Sequence, residues 1–163
     1  MSRQILFKAK KKDSKGWIEG YYVKAESKHF IIQWGMICGN NNFLSFDDEY
    51  CEIDISTLSQ SIGWGDSHGC RIFENDIVEF VSSSTRSEKY LIWWNIEMSM
   101  MTAIPLDGIQ RNGTDYYNHE KYYKFTYETF CLMMQDPWGD FREVKVIGNL
   151  FDNPELLDIN ETK

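Results

Sequence analysis

Through much of this chain apolar and polar residues exchange places at every second position, in short runs, and a period of two builds sheets rather than helices. The runs "ILFKAK", "WIEGYYVK", "HFIIQW", "CEIDI", "DIVEFV", "YLIWW" and "EVKVI" alternate or are dense in aromatic and β-branched residues. They predict strands near residues 3–10, 17–24, 29–34, 51–55, 76–81, 89–95 and 143–148. In the first, Ile5, Phe7 and Ala9 form the half-buried face and Lys8 and Lys10 lie between them. "KKDSKG" then turns the chain, so the first two strands form an antiparallel hairpin closed by Gly16 in a left-handed conformation.

The pattern stops at "GCRIFENDIVEF" for Glu74, Asn75 and Asp76 and restarts at Ile77. Asn tolerates positive φ better than almost any residue with a side chain, so Asn75 marks a tight left-handed corner. The Asp76 carboxylate is placed to cap it. Near the end, Gly148 and Asn149 break the last strand, and Asn153, Pro154 and Glu155 supply an N-cap, a first-turn proline and an acidic first turn for a short helix through Leu156 and Leu157.

Three other stretches read differently. "GMICGNNNFLSFDDEY" is a loop excursion of Asn, Gly and paired acids. "STLSQSIG" predicts one helical turn, with Ser56 as N-cap and Gly63 as stop. In the Tyr-rich region Tyr123, Tyr127, Phe130 and Met134 fall on one helical stripe, with Thr126 as N-cap and Pro137 past its end, which predicts a helix near 126–135 packed into the core. The architecture expected is therefore mostly β, of the α+β class: a bent antiparallel sheet or small β-barrel with one or two short helices. A single domain over 1–163 carries it, with loop elaborations at 35–50 and 95–125.

Composition narrows the function classes. A chain with 42% hydrophobic and 15% aromatic residues has the means to build a core and is too apolar for intrinsic disorder. No run approaches the length of a membrane span, and "MSRQILFKAKKK" reverses the order of a secretory signal, so a cytoplasmic protein without membrane contact is expected. Cys38, Cys51, Cys70 and Cys131 form no C-x-x-C pair and read as reduced thiols. His29, His68 and His119 lie far apart, and neither a metal site nor a cofactor is suggested. The net charge of −8 is uneven: residues 1–28 hold eight basic side chains against three acidic ones, a balance of +5, leaving −13 for the rest. Such a basic edge is a phosphate-binding strip, one half of a contact between subunits, or a lysine-protected strand face.

The blocks "ILFKAKKKDSKGWIEGYYVK", "IDISTLSQSIGWGDSHGCRIFENDIVEF" and "VKVIGNLFDNPELL", in this order, resemble the YopX family of phage and prophage proteins. Where that family usually has the glycine of an E-G-D corner, this chain has Asn75; where it has the proline and glutamate of P-E-T, this chain has Ile55 and Ser56 before Thr57. The resemblance implies a β-rich, phage-encoded protein of the bacterial cytoplasm that tends to form homo-oligomers, with no established enzymatic activity and no catalytic residue to carry over. The matching polar residues Glu74, Asp76, Asn149, Asn153 and Glu155 each have a sufficient structural role, and Glu74, Asn75, Asp76, Gly148, Asn149, Asn153 and Pro154 read as structural corner and caps.

The function favoured on these grounds is a non-enzymatic, oligomeric protein-interaction module with a host or phage protein as a further partner. The alternative is nucleic-acid traffic, by direct binding through Lys8, Lys10, Lys12 and Trp17 or by an acidic body that mimics DNA. The net charge weighs against direct binding. An enzyme would need a constellation, and "FDDEY" (Asp47, Asp48, Glu49) and "GDSHG" (Asp66, Ser67, His68) offer only sequence-adjacent groups suited to shaping turns.

Overall fold

A computed structural model describes residues 4–14, 16–33, 50–81, 87–96, 99–106, 123–124 and 143–157, the pair 123–124 as backbone only. Among them the protein is two antiparallel sheets with two short 3-10 turns, distributed over two compact units, residues 1–63 and 64–163.

The first unit contains β1 (Phe7–Lys10), β2 (Trp17–Ala25), β3 (Lys28–Gln33), β4 (Tyr50–Glu52) and most of β5 (Ser59–Gly65). Their order is β4-β3-β2-β1-β5 and all neighbours are antiparallel. The sheet curls strongly. Past the ends of β1 and β4, Lys11 bridges Ile53, with Lys12 N donating to Glu52 O and Asp54 N to Lys10 O, both at 2.9 Å. This single bridge bends the sheet without closing it into a barrel. Inside the curl Ala9, Ile18, Ile31 and Ile53 are buried, with Phe7, Tyr22, Cys51 and Leu58 packed against them. Gly20 is required by the curl: a Cβ there would collide with the backbone carbonyl of Ile32 on β3.

Several local expectations need correction. Leu6, not Ile5, is buried at the start of β1, and Ile5 is 51% exposed, because Leu6 O accepts Ser61 N of β5 and the residues before Phe7 fall outside the β1–β2 ladder. Gly16 does not take positive φ; the residue that does so in the next connection is Glu26, at 55°. The helical turn is a 3-10 turn at Ile55–Thr57, and its N-cap is Asp54, whose Oδ1 accepts Ser56 N at 3.0 Å and Ser56 Oγ at 2.7 Å. Ser59 to Gly65 then form strand β5 against β1, and Gly63, at φ 88°, lies within it instead of stopping a helix.

In the second unit a turn leads to β6 (Arg71–Phe73), followed by β7 (Asp76–Val81), β8 (Ser87–Asn95), β9 (Met100–Pro105), β10 (Tyr123–Lys124) and β11 (Glu143–Asn149). The second sheet has the order β10-β9-β8-β7-β11. Ile77 and Leu91 pair across β7 and β8, Leu91 and Ile104 across β8 and β9, and with Leu106 they form a buried cluster. Ile147, Leu150, Leu156 and Leu157 from the C-terminal motif cover that cluster. Strand β9 lies within the stretch read as a loop elaboration. The helix expected at 126–135 and residues 35–49 lie outside the described residues. No helix among the described residues is long and apolar enough to cross a membrane.

Candidate functional site

At the corner, Asn75 sits at φ 66° between β6 and β7, in the turn it shares with Glu74. Its N–H donates to Ile92 O at 2.7 Å and its carbonyl accepts Leu150 N at 2.9 Å, so the turn is bonded to β8 and to the C-terminal motif at once. Asp76 is 1% exposed, and its Oδ2 accepts the buried Phe73 N at 2.9 Å. An unmet N–H at that depth would be costly, which accounts for a carboxylate in the core.

The C-terminal motif is a pair of interlocked asparagine turns. Asn149 Oδ1 accepts Phe151 N and Asp152 N, each at 2.9 Å, and Asn153 Oδ1 accepts Asn149 N at 3.3 Å. The Asn153 side chain therefore reaches back to the strand end instead of capping the 3-10 turn Pro154–Leu157 that follows it. Gly148 leaves room for this contact, since a Cβ there would lie 2.5 Å from Asn153 Oδ1.

Asp66, Ser67 and His68, the residue types of a catalytic triad, engage separate partners. Asp66 Oδ1 accepts His68 N and Cys70 N, each at 2.9 Å, and its Oδ2 accepts Val146 N at 3.2 Å. Ser67 Oγ accepts Val144 N at 2.8 Å, while Ser67 N donates to Val144 O at 2.9 Å. His68 Nε2 lies 3.4 Å from Glu143 Oε1. The turn thus occupies the outer edge of β11, giving an edge strand the partners that a neighbouring strand would supply. Burial raises the Asp66 pKa, but its bonds from Val146, Cys70 and His68 N–H outweigh that and hold the carboxyl below its ordinary value.

The residues of the proposed basic face separate into two groups. Lys8 and Lys10, on the convex face of β1, stand opposite Glu19 and Trp17 of β2. Their ammonium groups lie 5.0 and 5.6 Å from the Trp17 ring centroid, in cation–π range. On the same face follow Tyr21, Ile32 and Tyr50 in one cross-strand row and Val23, Phe30 and Glu52 in the next. Phe30 meets Tyr50 edge-on at 5.4 Å. Tyr50 is 50% and Val23 38% exposed.

Lys12 is engaged by a carboxylate. With Lys28 it binds Glu52, Lys12 at Oε1 and Lys28 at Oε2 (3.1 Å), and these two hydrogen bonds are the main cause of the lowered Glu52 pKa. These residues, with Lys10, Lys11, Ser14, Ser27, His29 and Asp54, line a cleft of about 600 Å³ at the bridged end of the curl. Nothing in the sequence places Glu52 beside Lys12, 40 residues away. Beside the cleft, the Tyr22 hydroxyl and His29 Nδ1 are 2.7 Å apart. Burial first, then Asp13 and Glu52, push the Cys51 thiol up despite Lys11, away from the thiolate a nucleophile needs. Among the described residues no three His, Cys, Asp or Glu side chains are placed to hold a metal ion.

The family model for YopX protein matches residues 6–158. The chain belongs to the YopX family. The crystal structure of protein EF1440 from Enterococcus faecalis is similar over 96% of this chain and 99% of that one, at 20% sequence identity and a TM-score of 0.46. No curated protein matches the chain.

Proposed function

We propose that this YopX protein is a phage- or prophage-encoded, non-enzymatic binding module of the bacterial cytoplasm that works as a homo-oligomer. The observation that carries the reading is the convex face of the first sheet. There Tyr21, Val23, Phe30, Ile32 and Tyr50 form two adjoining rows, with Trp17, Lys8 and Lys10 at one side. Aromatic side chains gathered on a half-exposed sheet face are the usual makings of a protein contact.

A second copy of the chain is the occupant that charge favours. Residues 1–63 carry eight basic and eight acidic side chains, whereas residues 64–163 carry nine against seventeen, the whole net charge of −8. A face edged by Lys8 and Lys10 on one copy complements the acidic residues 64–163 of another, a head-to-tail contact of the kind that closes rings. The corner, the asparagine turns and the Asp66 turn serve the fold in this reading. Sedimentation velocity between roughly 1 and 100 µM, the range in which interfaces of ordinary affinity assemble, should show species larger than the 19.3 kDa chain. Their weakening as salt rises would reflect the charge term, and a monomer throughout would refute the proposal.

A further inference from the structure

The cleft at the bridged end of the first sheet has a composition that assembly through the convex face does not explain. Lys10, Lys11, Lys12 and Lys28 surround it, and the carboxylates lining it are Glu52 and Asp54. Asp54 Oδ1 holds the Ser56 N–H and hydroxyl, and its charge is felt by Lys10 and Lys12. Glu52 is held between Lys12 and Lys28, one ammonium on each oxygen. Lys11 has no carboxylate ion-pair partner among the described residues. A carboxylate held between two ammoniums marks a place where an anion is stable, and here that anion belongs to the protein. It is a shallow, exchangeable occupant, for Lys12 and Lys28 keep 65% and 61% of their side-chain surface exposed.

We propose that this cleft binds a phosphorylated ligand, its phosphate seated among Lys11, Lys12 and Lys28 in place of the Glu52 carboxylate. A phosphate offers three or four acceptor oxygens and no fixed plane, which suits ammonium point charges and the hydroxyls of Ser14 and Ser27 that share the lining. The volume of about 600 Å³ falls in the range of small-molecule sites and would admit a nucleotide. The acidic charge of the rest of the chain opposes a long polyanion lying across the surface. Two sources of the same chemistry remain, a free nucleotide di- or triphosphate and the 5′-phosphorylated end of a nucleic-acid strand.

Full-length protein at low ionic strength is titrated with inorganic pyrophosphate, followed by calorimetry and amide chemical shifts. Saturable binding is expected, with shifts confined to residues 10–14, 27–29 and 52–55. Lys12→Ala and Lys28→Ala should each weaken it about tenfold, the loss of one charge-assisted contact. Glu52→Gln should tighten it severalfold, an effect no merely structural ion pair would produce, provided the variant melts cooperatively. Competition then separates the sources: displacement of pyrophosphate by nucleoside triphosphate but not by a 5′-phosphorylated oligonucleotide assigns a free nucleotide, and the reverse assigns a strand end. Non-saturable titration, shifts outside the cleft, or a Glu52→Gln variant that binds no more tightly than wild type would overturn the proposal.

Discussion

Asp66→Asn tests the reading of the "GDSHG" turn as an edge cap. In the wild type one carboxylate accepts three backbone N–H groups, two at exposed positions (His68 and Cys70) and one part-buried on the edge of β11 (Val146). Hydrogen bonds to a charged acceptor contribute roughly 1.5–3 kcal/mol and neutral ones about 0.5–1.5 kcal/mol. Water recovers most of the loss at the two exposed donors, so the net effect rests on the Val146 N–H and on the lost charge. The amide keeps one acceptor oxygen and turns an NH2 toward the remaining donor, for a cost of about 1–2 kcal/mol at pH 7. Asp66→Ala removes every acceptor and should cost about 2–3 kcal/mol.

The pH dependence gives the sharper check. The Asp66 pKa is lower in the folded chain than its ordinary value, so its stabilisation is complete above the unfolded-state pKa, near 3.9, and disappears as pH falls through the folded value. In urea unfolding followed by tryptophan fluorescence, the gap between wild type and Asp66→Asn should be constant from about pH 7 to 5 and narrow below about pH 4. A gap that persists unchanged to pH 2.5, or no gap at pH 7, would refute the edge-cap argument. Loss of a biological readout without loss of stability would show the turn to be a working site.

At the corner, Asn75→Val should destabilise by roughly 1–2 kcal/mol because a β-branched residue is strained at φ 66°, whereas Asn75→Gly, which takes that φ without strain, should cost less; urea midpoints distinguish them. Asp76→Ala should cost about 2–4 kcal/mol, since it strands the buried Phe73 N–H in addition to leaving a void, and its melting temperature should fall accordingly. Gly20→Ala, which drives a Cβ into the Ile32 carbonyl, should cost about 3 kcal/mol or abolish soluble expression, while Gly148→Ala, whose nearest obstacle is the Asn153 side chain, should cost about 1–2 kcal/mol by displacing it from Asn149 N.

The features legible in the sequence were those that a few neighbouring residues decide. Asp76 and the Asn149 turn are built from side chains bonding to backbone within four positions, and Asn75 is marked by its own tolerance of positive φ, so local chemistry names them. Strand β5 escaped because its buried positions include Ser59 and Ser61, hydroxyls that the alternation pattern reads as solvent-facing. Ser59 Oγ is satisfied by Thr57 O at 3.1 Å and Ser61 N by Leu6 O at 2.7 Å, partners that folding supplies. Asp54 rather than Ser56 caps the 3-10 turn because the Lys11–Ile53 bridge fixes where the strand ends, and that bridge joins residues far apart in sequence. The same closure creates the lysine cleft. Lys8, Lys10 and Trp17 share a face because strand spacing alone puts them there; Lys12 pairs with Glu52 instead of Trp17, a contact set by the curl of the sheet.

The most direct test of assembly through the convex face is sedimentation velocity of the Val23→Glu, Tyr50→Glu double variant beside wild type at equal concentration. Both positions are exposed and neither lies in the buried cluster, so the variant should keep the wild-type circular dichroism spectrum and cooperative melt. Wild type should sediment as an oligomer and the folded variant as the 19.3 kDa monomer. A variant that assembles as wild type does, or a wild type that is itself monomeric, would contradict the proposed function.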